Sequence, residues 1–286
     1  MLITNKYNLP QALVDAVKGD GVREHKGYGV TTILKPVREI ILMRRHEGEI
    51  EVDVSDCINR LFGTAFHSLI EQHDKTGMAE ITLEKEINGL KLIGKLDLYD
   101  TINECVIDYK TATVWKVMLK DFEDWRKQGL IYAWLCMQNG YSVKKIKFYA
   151  FLKDWTAKDK RAKDDDYPES QVYTYELNVG INELVEIETW LEMKFGSLKN
   201  ELCYNDDELV PCTKEECWYT GDKYAVYKNV SDKKAQRLFD SKVEAEGYLK
   251  EKMDGKGIVV FRQGEYRKCQ DYCEVCNFCN IRKERI

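Results

Sequence analysis

The chain lacks a long hydrophobic run, a basic-then-apolar leader, a glycine-rich strand–helix turn, an internal repeat and an excess of positive charge. Each absence removes a class of function. The longest apolar stretch, Gly129 to Met137, is about half the length that crosses a bilayer, so it is read as a buried helix and no membrane role is expected. Met1 to Leu9 carries no export signal, which points to a cytoplasmic protein whose cysteines stay reduced. Without a glycine-rich fingerprint there is no sign of a dinucleotide-dependent redox enzyme. The net charge of −5 would not by itself suggest nucleic acid. Net charge governs solubility and steering, however, and a cleft can be locally basic. Basic clusters stand at Arg44–Arg45, Lys144–Lys145–Lys147, Lys158–Lys160–Arg161–Lys163 and Arg282–Lys283. The third runs into Asp164–Asp165–Asp166 and reads equally well as a solvated loop.

The 286 residues suffice for one large domain with an insertion, or one and a half domains. From Val54 to Ile70 the residues Ile58, Leu61, Phe62, Ala65, Phe66, Leu69 and Ile70 recur at helical spacing, with Ser55 or Asp56 as N-cap and Thr76–Gly77 as terminator. Ile81–Ile87, Leu90–Tyr99 and Cys105–Thr111 read as strands, the last two joined by a turn over 100–104. A helix over 121–138 ends at Asn139–Gly140. Strands over 145–152 and 171–177 and a helix over 181–202 follow. This order predicts an α/β fold, a mixed central sheet flanked by helices. Past Pro211 the pattern changes to an aromatic strand over 218–228, a charged helix over 232–252 and a short strand over 258–261. The division expected is a core over 1–204, a small accessory α+β module over 205–265 and a cysteine-rich tail over 266–286 that packs back on the core.

The informative stretch is Gly94–Lys95–Leu96–Asp97 followed by Asp108–Tyr109–Lys110. Alternate side chains of a strand share a face, so Asp108 and Lys110 project together, and pairing across the turn brings Asp97 beside Asp108. Two adjacent carboxylates repel unless a cation lies between them, and hard oxygen ligands suit Mg²⁺ or Mn²⁺. A neighbouring lysine can stabilise developing negative charge. A lone Asp-X-Lys is usually a wet surface hairpin. Leu96, Leu98, Val106 and Ile107 mark this hairpin as part of a core, so its polar side is expected to line a cleft. His67, four residues after Gly63, lies opposite the apolar stripe of its helix and would otherwise pass for a surface histidine. Gln128 and Tyr132 share a face at i, i+4 and would otherwise suit simple helix–sheet packing.

Taken in order, Gly63-x-x-x-His67, Gly94-x-x-Asp97, Asp108-x-Lys110 and Gln128-x-x-x-Tyr132 resemble the motif series of RecB-like PD-(D/E)XK nucleases, the group of phage exonucleases and CRISPR-associated adaptation nucleases. Tyr28 to His46 is similar to the opening of phage-encoded members. The resemblance implies a restriction-endonuclease-like core and a metal-dependent DNA nuclease, an exonuclease of phage-type DNA processing or recombination. Asp97, Asp108, His67 and the Tyr109 carbonyl would hold Mg²⁺ or Mn²⁺. Lys110 would serve the attacking water and the scissile phosphate, and Gln128 and Tyr132 would support the site or contact DNA. Leu96 stands where the family name has proline, and Glu71 and Glu84 are further carboxylates without an assigned place. The partners implied are single- or double-stranded DNA ends and a single-strand annealing or recombination protein, in the host cytoplasm if phage-encoded. The alternative is an inactive nucleic-acid-binding or scaffold protein on the same fold.

Cys269, Cys273, Cys276 and Cys279 crowd the tail, a spacing of soft ligands that points to metal. Related nucleases close their C-terminal end on the core with three tail cysteines and one upstream cysteine around an iron–sulfur cluster. The tail is similar through Cys269, Cys273 and Cys279, with Cys276 as an additional candidate. Cys57, Cys212 and Cys217 are the upstream options, and Zn²⁺ competes with a 4Fe–4S cluster as the structural group. Cys105 and Cys136 sit among apolar neighbours and are expected in the core. Trp218, Tyr219, Tyr224 and Tyr227 are read as a small sheet core in preference to a base-stacking surface.

Overall fold

The computed structural model describes residues 1–20, 27–73, 78–162 and 166–285. They form two compact units. The first comprises 1–40 and 47–203, the second 41–46 and 204–286.

The first unit begins with β1 (Leu2–Thr4), α1 (Gln11–Asp20), β2 (Tyr28–Gly29), α2 (Val30–Ile33) and α3 (Val37–Arg45), whose last residues group with the second unit. It continues with β3 (Glu51–Asp53), α4 (Ile58–His73), β4 (Met78–Ala79), β5 (Thr82–Ile87), β6 (Leu90–Lys95), β7 (Leu98–Asp100), β8 (Cys105–Ala112), α5 (Val114–Met118) and α6 (Glu123–Gln138). It closes with β9 (Lys145–Leu152), α7 (Ala157–Ala162), β10 (Val172–Asn178) and α8 (Ile181–Glu201). A five-stranded sheet has the order β10-β9-β8-β7-β4. Only β8 and β9 run parallel in it, so the sheet is mixed, as the element order predicts. A second sheet joins β2, β6 and β5.

Two glycines let α6 approach these sheets. A Cβ on Gly129 would meet Ile146 and Phe148 side-chain atoms of β9 at 2.8 Å, and one on Gly94 of β6 would meet Leu135 Cδ1 at 2.6 Å. Both distances are closer than carbon atoms pack, so each position needs the bare backbone. The apolar run expected as a buried helix is the core of α6, where Leu130, Ile131, Ala133 and Leu135 are buried.

The strand expected over Leu90–Tyr99 is broken. After Lys95 pairs with Thr82, the chain steps over Leu96 and Asp97, and its continuation β7 pairs with β4 in the other sheet. Glu80, opposite the break, adopts φ 53° and donates its N–H to the Asp97 carbonyl at 3.1 Å. A left-handed residue in a hairpin kinks it, and hydrophobic alternation carries no sign of such a kink. The helix expected over 54–70 opens as a single 3-10 turn, Val54–Cys57, capped by Asp53 and not by Ser55 or Asp56. Asp53 also accepts from Thr4 Oγ1 and the Lys6 N–H, both at 2.8 Å, which ties β1 to β3. On the apolar stripe of α4, Phe62 and Leu69 are 63% and 55% exposed. The helix rests on its flank instead, with Phe66 against Phe151 at 4.1 Å between ring centroids. Thr76–Gly77 lies outside the described residues, as do Lys163, Asp164 and Asp165. Cys57 packs with Val14, Val17 and Val54, and Cys105 and Cys136 are buried.

The second unit holds β11 (Lys223–Tyr227), β12 (Arg237–Phe239), α9 (Lys242–Lys252), β13 (Ile258–Arg262) and α10 (Arg282–Arg285). Its sheet has the order β12-β11-β13. The charged helix expected over 232–252 begins only at Lys242, and a strand precedes it. Ser241 Oγ accepts the Glu244 N–H at 3.2 Å and donates to the Glu244 carboxylate at 3.0 Å, an N-cap that fixes the start. Tyr224 packs on Phe261 and Tyr219 on Tyr266, and Tyr227 is buried, whereas Trp218 is 52% exposed and stands outside any core. Among the described residues no helix is long and apolar enough to cross a membrane.

Candidate active site

β8 leaves the sheet interior with Asp108 and Lys110 on the side facing α6, while Ile107 and Tyr109 point to the opposite side. The β7–β8 register pairs Leu98 with Ile107, which sets Asp97 next to Asp108. Asp97 Oδ2 accepts the Tyr109 N–H at 2.8 Å, and Oδ1 lies 3.2 Å from His67 Nδ1. From α6, Gln128 accepts from Lys110 Nζ at 2.9 Å, and its amide donates to Asp108 Oδ1 at 3.5 Å and to the Tyr132 hydroxyl at 3.4 Å. Lys110 Nζ lies 2.6 Å from Asp108 Oδ2, a charge contact outside hydrogen-bond geometry.

Six of the residues singled out in the sequence thus meet: His67, Asp97, Asp108, Lys110, Gln128 and Tyr132 line one cleft of about 510 Å³. Tyr109 lines the recess beside it. Glu71 also lines the cleft, whereas Glu84 pairs with Lys91 on the exposed β5–β6 hairpin. Sequence reasoning missed Arg60, Glu80 and Lys95 in the cleft wall. Lys95 had a signal, its place two residues before Asp97. Glu80 had none, because the kink that turns it inward is invisible in the pattern.

Asp108 is 3% exposed, and burial raises its carboxyl to about 6. Lys110 opposes that shift and the charge of Asp97 adds to it. His67 is also raised, chiefly by its hydrogen bond to Asp97, with burial working against it. The wall carries four carboxylates, Glu71, Glu80, Asp97 and Asp108, against the cations of Arg60, Lys95 and Lys110. A cleft with this balance repels a phosphodiester unless a cation enters first. Asp108 Oδ2, buried and without a hydrogen-bond partner, is the atom such a cation would satisfy, so the donor set fits a hard divalent metal. Among the described residues no three His, Cys, Asp or Glu side chains already enclose a point as a loaded metal cage does. His67 and Asp97 bond each other, and Lys110 covers Asp108.

The sequence profile of the PD-(D/E)XK nuclease superfamily matches residues 53–280. The chain belongs to that superfamily. The match spans every element that builds the cleft wall from α4 to α6. No curated protein matches the chain. Among solved structures, SSO0001 is 16% identical, covering 72% of this chain and 89% of its own, with a TM-score of 0.47. The alkaline exonuclease LHK-Exo from Laribacter hongkongensis is 16% identical, covering 62% and 90%, with a TM-score of 0.39. A phage-related exonuclease from Haemophilus somnus 129PT is 13% identical, covering 67% and 82%, with a TM-score of 0.29.

Among the described residues several side chains of the basic clusters are paired. Lys144 pairs with Glu104, Lys145 and Lys147 with Glu176, Lys160 with Glu169 and Arg45 with Asp206, while Arg282 bonds Asn277.

Proposed function

We propose that the protein is a Mg²⁺- or Mn²⁺-dependent deoxyribonuclease acting as an exonuclease on DNA ends, in phage-type processing or recombination. The observation that carries this reading is the cleft itself, where a buried and incompletely partnered Asp108 faces Asp97 and His67 beside a lysine. Asp97, Asp108, His67 and the Tyr109 carbonyl would hold the cation. Bound there, a divalent cation supplies positive charge to the phosphate and favours ionisation of water. Lys110 would place its ammonium where charge develops on the phosphate oxygens. Gln128 fixes the Lys110 ammonium and the Asp108 carboxylate relative to each other, and Tyr132 steadies Gln128 from the next turn of α6. Exonuclease action rests on the ordered motif series. The tail cysteines, with Cys212, are read as holding a structural iron–sulfur or zinc group.

End-labelled linear DNA beside closed circular DNA tests the reading. With Mg²⁺ or Mn²⁺ the protein should shorten the linear form and spare the circle, and chelation should stop it. Cleaved circles would replace the exonuclease reading with an endonuclease at the same cleft. No metal-dependent cleavage of either would favour an inactive nucleic-acid-binding protein.

A further inference from the structure

In the second unit the sulfurs meet away from the tail tip. The Cys217 thiol hydrogen-bonds with those of both Cys212 and Cys269. Two short turns bring them together. The first runs from Cys212 to Cys217 and is closed reciprocally: Thr213 N–H donates to the Glu216 carboxylate at 2.9 Å, and Glu216 N–H to Thr213 Oγ1 at 3.2 Å. The second is a π-helical turn, Lys268–Tyr272. Such a turn is wide, with bonds from i to i+5, and Cys273 follows directly at its end, four residues after Cys269. The Lys268 N–H donates to the Cys217 carbonyl at 3.1 Å, and a bridge between Tyr219 and Tyr266 clamps the two turns side by side.

We propose that the second unit carries its own thiolate metal centre, with Cys212 and Cys217 from one turn and Cys269 and Cys273 from the other. The proposal rests on the reading that these cysteines bind metal, and it changes where. The set is two plus two within one unit, not three tail cysteines with a single upstream ligand. Cys57 is packed among valines of the first unit.

Arg285 supports this assignment. Its Nη1 donates to Cys217 Sγ at 2.8 Å and its Nη2 to the Cys212 carbonyl at 2.8 Å. The guanidinium lies 4.8 Å from the centroid of the Tyr266 ring, which holds it in place. Four thiolates around a divalent ion leave net negative charge, and a fixed guanidinium hydrogen-bonded to sulfur offsets it. Without an ion the sulfurs of Cys212 and Cys269 both meet that of Cys217, and among the described residues no three of these side chains yet enclose a common point. The class of ligand is a thiophilic metal, Zn²⁺ or an iron–sulfur cluster.

The test uses the full chain purified anaerobically. Zinc, iron and inorganic sulfide are measured per chain, which separates the two metals, and cysteine alkylation is mapped by mass spectrometry before and after a chelator strips the metal. The expected result is bound metal, with Cys212, Cys217, Cys269 and Cys273 protected until stripping and Cys203, Cys276 and Cys279 labelled from the start. Cys217→Ser should lower the metal content at least tenfold and Cys276→Ser should leave it unchanged. The mapping needs no variant, so a poorly folding Cys217→Ser does not shield the proposal. Metal with Cys276 and Cys279 protected while Cys212 and Cys217 label would overturn this site and leave a cysteine metal centre standing. No metal with uniform labelling, or a disulfide among these thiols, would overturn both.

Discussion

Replacing Asp108 by asparagine should lower metal-dependent cleavage on the order of a thousandfold and raise the thermal stability of the metal-free protein at neutral pH. The two effects have one cause. Asp108 is buried, and the Lys110 ammonium 2.6 Å from its Oδ2 offsets only part of the cost of its charge, so a divalent cation would relieve the rest. Metal catalysis of phosphoryl transfer supplies several kcal/mol, so losing a ligand should cost on the order of a thousandfold in rate. The sign of the stability effect follows from the raised carboxyl. A carboxyl that titrates at about 6 when folded and at 3.8 ordinarily takes up protons on folding. Its penalty is therefore fully present above the folded value and disappears as pH falls through that value to the ordinary one. In chelator, Asp108→Asn should melt higher than wild type near neutral pH, and the gap should close on acidification. Adding Mg²⁺ should raise the melting temperature of wild type only, since a ligand that binds the native state stabilises it. A lower melting temperature for Asp108→Asn in chelator, or an intact Mg²⁺ shift, would contradict this account.

Lys110→Gln should separate binding of the metal from use of it. Lys110 reaches Asp108 and Gln128 but is not itself a ligand, so the Mg²⁺-induced rise in melting temperature should survive. Cleavage should fall about a hundredfold to a thousandfold, the cost of removing one fixed donor from a developing oxyanion. Arginine should not rescue it, because a larger planar guanidinium cannot take the place of a compact ammonium held between Asp108 and Gln128. Single-turnover rates on a short labelled duplex check this. An unchanged rate would remove Lys110 from the chemistry.

The site was more legible than the fold around it. Strand alternation places Asp108 and Lys110 together whatever the sheet does, and helical spacing does the same for Gln128 and Tyr132. His67 was legible for a reason that first counted against it: it lies opposite the apolar stripe of α4, and that is the side on which the cleft opens. The environment of α4 was not legible, because amphipathic spacing shows a stripe without showing what covers it, and Phe62 and Leu69 stand exposed. The break at Leu96–Asp97 was illegible because one left-handed residue, Glu80, makes it. That same break moves the chain from one sheet to the other at the very residue that meets His67. In the second unit, spacing alone favoured the clustered tail cysteines, while the contacts of Cys217 depend on pairing between segments about fifty residues apart in sequence.

The central claim is that Asp97, Asp108 and His67 hold a divalent cation for phosphodiester hydrolysis. The most direct measurement is a crystal structure of the wild-type protein soaked with Mn²⁺, with anomalous scattering recorded at an energy where manganese scatters strongly. The account predicts an anomalous peak between the Asp97 and Asp108 carboxylates, with Lys110 withdrawn from Asp108 Oδ2 to make room. An empty cleft at saturating Mn²⁺, with the Lys110–Asp108 pair intact, would contradict it.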